Sequence, residues 1–139
     1  MAEFRTAIRL NPNDAGLLAD AHFNLGKALY EKGDVDGAMV EYRAALGINP
    51  NHFNAHNYLG TALYKKGDLD GGIAEFRAAL LIKPNPNAAS SHLALGAALE
   101  LKGQLDEALD EYRSAMTLDP RLWMAKARYE DLAVKLHKK

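Results

Sequence analysis

Apolar residues recur three and four positions apart through short stretches of this chain, and each stretch ends in a polar break containing glycine. His56, Leu59, Gly60, Leu63 and Tyr64 share one helical face until Lys66-Gly67-Asp68 interrupts the period. Ile73, Phe76, Ala79 and Leu80 then resume it, and Lys83-Pro84 closes it. The pattern predicts two helices joined by a short turn. Gly67 suits the left-handed conformation beyond a helix end, and Asp68 can accept hydrogen bonds from the open amides of the next helix start. So short a connection forces an antiparallel hairpin.

The same hairpin is written three times. Leu25-Gly26, Leu59-Gly60 and Leu95-Gly96 each precede a Gly-Asp or Gly-Gln turn and a closing proline. Gly26 to Gly60 and Pro50 to Pro84 each span 34 residues, whereas Gly60 to Gly96 and Pro84 to Pro120 each span 36. Such a period marks a helix-turn-helix array, because one unit cannot bury its apolar face alone and must stack on a neighbour. The expected units are residues 19–52, 53–86 and 89–122 of a single domain over 1–139. Within residues 1–12, Phe4, Ala7, Ile8, Leu10 and Pro12 match Tyr42, Ala45, Leu46, Ile48 and Pro50, a partial repeat with its second helix only. A chain that opens inside a repeat is expected to be cut from a longer array. Residues 13–18 and 85–88 read as insertions of four and two residues at the joints. Residues 123–139 predict a capping helix with Leu122, Ala125, Tyr129, Leu132 and Leu136 on its apolar side and Lys126, Glu130, Lys135 and Lys138 opposite. Trp123 is expected to anchor that helix on the third unit, with ligand stacking as the alternative.

Composition narrows the function without naming it. The 139 residues are 48% hydrophobic with a formal net charge of −1, so no basic surplus points to nucleic acid or an anionic membrane. The absence of cysteine removes disulfides, thiolate metal sites and thiol nucleophiles. No apolar run approaches the ~20 residues of a membrane span, and residues 1–5 lack a signal peptide's apolar middle. The expected location is cytoplasmic, without membrane insertion.

Leu-Gly, then Leu, Ala or Gly, an aromatic residue, Ala and Pro recur as Leu25, Gly26, Leu29, Ala38, Tyr42, Ala45, Pro50; as Leu59, Gly60, Leu63, Gly72, Phe76, Ala79, Pro84; and as Leu95, Gly96, Leu99, Ala108, Tyr112, Ala115, Pro120. This pattern resembles the tetratricopeptide repeat family. The resemblance implies an all-α, right-handed α-solenoid of antiparallel helix-turn-helix repeats, whose first helices line a concave groove that holds extended or helical segments of other proteins. Small residues would permit close helix approach, and the aromatic ring would fill the gap between hairpins. His22, His56 and His92 stand where the family often has Trp, and Gly72 replaces the usual Ala beside Gly71. Helix-interior glycine costs about 1 kcal/mol relative to alanine, so the second unit is expected to be the softer one.

The histidines read as packing residues, with a polar ladder in the groove as the alternative. Helices of successive units lie ~8–10 Å apart, whereas imidazoles sharing a zinc each lie ~2.0–2.1 Å from it, so a common metal is not expected. No acidic residue is expected to repeat beside them.

The middle first helix carries a polar, aromatic stripe of Asn54, Asn57, Tyr58, Thr61, Tyr64 and Lys65, a poor core face and a good contact face. Its counterparts are Asp20, Phe23, Asn24, Lys27, Tyr30 and Glu31, then Ser90, Leu93, Ala94, Ala97, Glu100 and Leu101. Tyrosine offers area at little entropic cost and asparagine can satisfy a peptide backbone, so a peptide partner is expected along this stripe. Its apolar side chains should lie toward the third unit. Family members that clamp the carboxylate end of heat-shock chaperones use Lys, Asn and Arg at positions that here hold Phe23, Lys27, Tyr58, Ser90 and Ala94, so that clamp is not expected.

No catalytic constellation appears. Ser90 and Ser91 beside His92 look like helix-start residues, and Asp34, Asp36, Asp68, Asp70 and Asp106 recur with the turns as caps. The reading is a non-catalytic scaffold without cofactor or metal. Its alternative is a self-assembly element that forms homo-oligomers through the incomplete terminal repeats.

Overall fold

Asp14, Asp34 and Asp68 each begin a helix by the same device, a carboxylate oxygen accepting the amide of the residue three positions on at 2.9 Å. Gly33, Gly67 and Gly103 end the first helix of each hairpin with φ near +90° (90°, 89° and 87°), a conformation open to glycine. In all three turns the residue after that glycine donates its amide to a carbonyl five positions back, at 2.9 Å, which turns the chain sharply. The computed structural model describes residues 14–136, and among these every regular element is helical. In order they are α1 (Ala15–Glu31), α2 (Val35–Ile48), α3 (Phe53–Lys65), α4 (Leu69–Leu81), α5 (Ala88–Lys102), α6 (Leu105–Leu118) and α7 (Trp123–Lys135). Each helix packs on its neighbours in the chain, and α1 with α3 and α3 with α5 also touch directly. This is an all-α helical repeat solenoid.

The glycine of each Leu-Gly pair has a packing cause. A Cβ at Gly26, Gly60 or Gly96 would lie 2.7, 2.7 or 2.6 Å from a ring carbon of Tyr42, Phe76 or Tyr112. The ring of the second helix lies against the backbone of the first, and both are buried. Tyr42 packs with Ala55 and Leu59 of the next hairpin, and Phe76 packs with Leu95, Ala98 and Leu99 of the one after. Each ring therefore joins its own hairpin to the next.

Four expectations change. α1 begins at Ala15 and not near residue 19, because Asp14 caps it and residues 15–18 form its first turn. Trp123 begins α7 but is 72% exposed, so it is no anchor; buried Ala125, Leu132 and Ala133 hold the helix. Of the turn carboxylates, Asp34 and Asp68 are caps, whereas Asp36 pairs with Lys66 at 3.1 Å and Asp70 pairs with Lys102, both in the turn of the following unit. An acidic residue does repeat with the histidines, 19 residues downstream of each, as described below. The partial repeat expected at residues 1–12, with Phe4, Ala7 and Ile8, lies outside the described residues. Among the described residues, no helix is long and apolar enough to cross a membrane.

Candidate interaction groove

The groove is built where α1, α3 and α5 stand side by side, and a single position shapes it. On α3 that position is Tyr58, whose ring packs edge-on against Phe23 at 5.0 Å and lies 5.9 Å from Tyr42, filling the space between the first two units. On α5 it is Ala94, and the space over Phe76 stays open. The resulting cavity of 360 Å³ is lined by Tyr30, Asn54, Asn57, Tyr58, Thr61, Phe76, Asn87, Ser90 and Ala94. It runs into an apolar notch of 180 Å³ between Thr61, Tyr64, Phe76, Ala94 and Ala97. A rim of polar amides therefore gives way to apolar walls.

Hydrogen bonding orients the amides. Asn87 donates its side-chain amide to Asn54 Oδ1 at 2.8 Å, and Ser91 donates its hydroxyl to Asn57 Oδ1 at 2.7 Å. Both acceptor oxygens are engaged, so the NH₂ groups of Asn54 and Asn57 are what remain to offer a ligand. Thr61 donates its hydroxyl to the Asn57 carbonyl at 3.0 Å. Lys27 of α1 reaches to 5.9 Å from the Tyr58 ring, and Lys65 of α3 reaches back to 5.3 Å from the Tyr30 ring. These crossed contacts set two ammonium groups over two phenol faces.

Several residues of the expected stripe stand elsewhere. Phe23 is only 9% exposed and packs against Tyr42, His52 and Tyr58, because its ring completes the core between units one and two. It supports the groove from beneath. Asp20 gives a carboxylate oxygen to His52 Nε2 at 2.9 Å, while His52 Nδ1 accepts the Ala55 amide at 3.1 Å and caps α3. Leu93 is half-buried against the core around Phe76 and Tyr112 and Leu101 is exposed; neither lines the cavity. Asn24 is exposed on α1. Sequence reasoning missed Phe76 as the floor, because it belongs to a second helix, and Asn87, which the insertion at residues 85–88 brings to the rim. That extra loop, rich in asparagine, was the available signal.

The histidines form a ladder of a different kind. His22, His56 and His92 meet Glu41, Glu75 and Glu111 through Nδ1 at 2.8, 2.7 and 2.6 Å, each pair tying the two helices of one hairpin. The spacing His-(18 residues)-Glu, written three times, was legible in the sequence. His56 goes further, since its Nε2 lies 2.8 Å from the Pro50 carbonyl. With acceptors at both nitrogens the imidazolium is favoured. The hydrogen bond to Glu75 raises its pKa above 6.5, burial opposes this, and the Pro50 carbonyl and the charge of Glu75 add to the rise. Ser91 faces Asn57 while His92 faces Glu111, so this neighbouring pair serves two different contacts. Burial also pushes the phenols of Tyr42 and Tyr112 upward.

A profile described as "Tetratricopeptide repeat" matches residues 52–121, and one described as "TPR repeat" matches residues 26–67. The chain belongs to the tetratricopeptide repeat family. No curated protein sequence matches it. Among solved structures, it is similar to the first TPR of Spaghetti (RPAP3) bound to the HSP90 peptide SRMEEVD, with a TM-score of 0.80 and 18% identity, covering 86% of this chain and 94% of that one. It is also similar to the first TPR domain of the human RPAP3 protein, with a TM-score of 0.78 and 18% identity, covering 86% of this chain and 92% of that one. At that identity, what these tetratricopeptide repeat domains share with the chain is the fold.

Proposed function

We propose that the chain is a non-catalytic protein-interaction scaffold, and that it holds an extended or helical segment of a partner protein across α1, α3 and α5. The observation that carries this reading is the open cleft above Phe76, walled by tyrosines and by asparagines whose NH₂ groups remain available. Such a surface satisfies a peptide's backbone carbonyls while covering an apolar side chain. The same fold in the first TPR of Spaghetti (RPAP3) is bound to an HSP90 peptide, which supports a segment in the groove. The chemistry of recognition is expected to differ, because the clamp positions here hold Phe23, Lys27, Tyr58, Ser90 and Ala94, so that Lys27 alone among them is cationic and Phe23 is buried. Titration with SRMEEVD is expected to give no saturable micromolar binding.

Selection from a randomised peptide library tests the groove itself. Ligands of about micromolar affinity, near −8 kcal/mol, are expected. They should be lost on the double substitution Asn57→Ala and Tyr58→Ala while the fold persists by circular dichroism. Ligands retained equally by that variant would place binding elsewhere and end this reading.

A further inference from the structure

Two features of the groove stand side by side and call for different chemistry. Between α1 and α3, the ammonium groups of Lys27 and Lys65 cross over Tyr58 and Tyr30, and neither has a carboxylate partner among the described residues. Between α3 and α5, the notch over Phe76 has room for one leucine-sized side chain, 180 Å³ with almost wholly apolar walls. It exists because Ala94 stands where the preceding unit has Tyr58. Neighbouring helices pack about 8–10 Å apart, so the cationic pair and the notch are offset by about one such step. In a polyproline II segment, residues three apart face the same way and lie about 9 Å apart. The two spacings coincide.

Resting on the groove reading above, we propose that the preferred ligand is an extended internal segment with a carboxylate side chain three residues from an aliphatic one. The carboxylate meets Lys27 and Lys65, the aliphatic group enters the notch, and the Asn54 and Asn57 amides hold the backbone between them. No free C-terminus is required, which separates this mode from capture of a terminal carboxylate.

The probe is the blocked peptide acetyl-Ser-Glu-Pro-Pro-Leu-Ser-amide, titrated into the full chain and followed by amide chemical shifts. Expected are shifts centred on Thr61, Ala94 and Ala97, with a dissociation constant below about 1 mM. Replacing the probe's Leu by Ser should weaken binding at least fivefold, and Glu by Gln at least threefold with loss of its salt dependence. Lys27→Met with Lys65→Met should abolish the Glu/Gln difference and keep the Leu/Ser one. Ala94→Tyr, which fills the notch as Tyr58 fills its own site, should do the reverse, its thermal midpoint reporting an intact fold. Equal binding of all probes, shifts outside the groove, or peptide-free self-association relieved by Ala94→Tyr would overturn the proposal. If the library yields groove ligands of another pattern, the scaffold reading stands and this one falls. If neither the library nor the probe engages the groove, both fall.

Discussion

Tyr42, Phe76 and Tyr112 occupy equivalent positions, yet their hydroxyls fare differently. Tyr112 donates to Glu100 Oε1 at 2.7 Å, Phe76 has no hydroxyl, and the buried Tyr42 hydroxyl has no hydrogen-bond partner among the described residues. A buried polar group without a partner costs about 1–3 kcal/mol. Tyr42→Phe is therefore expected to be neutral or stabilising, by up to about 1 kcal/mol, seen as an unchanged or higher urea midpoint. A markedly lower midpoint would show that the hydroxyl has a role. His56 supplies the second prediction at this scale. Its folded pKa is raised above 6.5, so its contribution is fully present below the unfolded value and fades as pH rises through the folded one. Glu75→Gln should lower the thermal midpoint more at pH 5.5 than at pH 8 and move the His56 titration downward. A deficit independent of pH would contradict it.

Helix starts and stops were legible at the level of elements. The Gly-Asp turns placed Gly67 in the left-handed region and Asp68 at the N-cap of α4, for the local reason that both roles are set within a few residues. Asp68→Ala should cost about 1 kcal/mol and speed amide exchange at Gly71, whose N–H the carboxylate accepts. The start of α1 was misplaced because repeat register suggested an insertion, while local capping by Asp14 extended the helix by a turn. Trp123 was also misjudged. The period of the helix marks Ala125 and Leu132 as its apolar side and α7 docks through both, whereas Trp123 lies off that side at the first helical position and stays exposed.

At the scale of the molecule, the core of the described residues is divided into two clusters, one centred on Tyr42 between units one and two, the other on Phe76 and Tyr112 beyond. Stability in such an array is nearly a sum of local terms. Phe76→Ala should cost about 3–5 kcal/mol and raise amide exchange in α5 and α6 well above that in α1 and α2. Uniform loss along the array would mean a single cooperative core. The surface pairs Lys66–Asp36 and Lys102–Asp70 also join units, but exposed pairs contribute at most about 1 kcal/mol and cannot replace the ring layer. The sequence alone determined the repeat, the hairpin, the turn chemistry and the stripe along the first helices, because each is set by a short-range period or a capping preference. Only the tertiary structure decided which residues line the open cleft: Phe23 was drawn into the core, Phe76 became the groove floor, and Ala94 opened the notch. Those outcomes depend on which side chains from different hairpins meet in one volume, and a period along a single helix carries no record of that meeting.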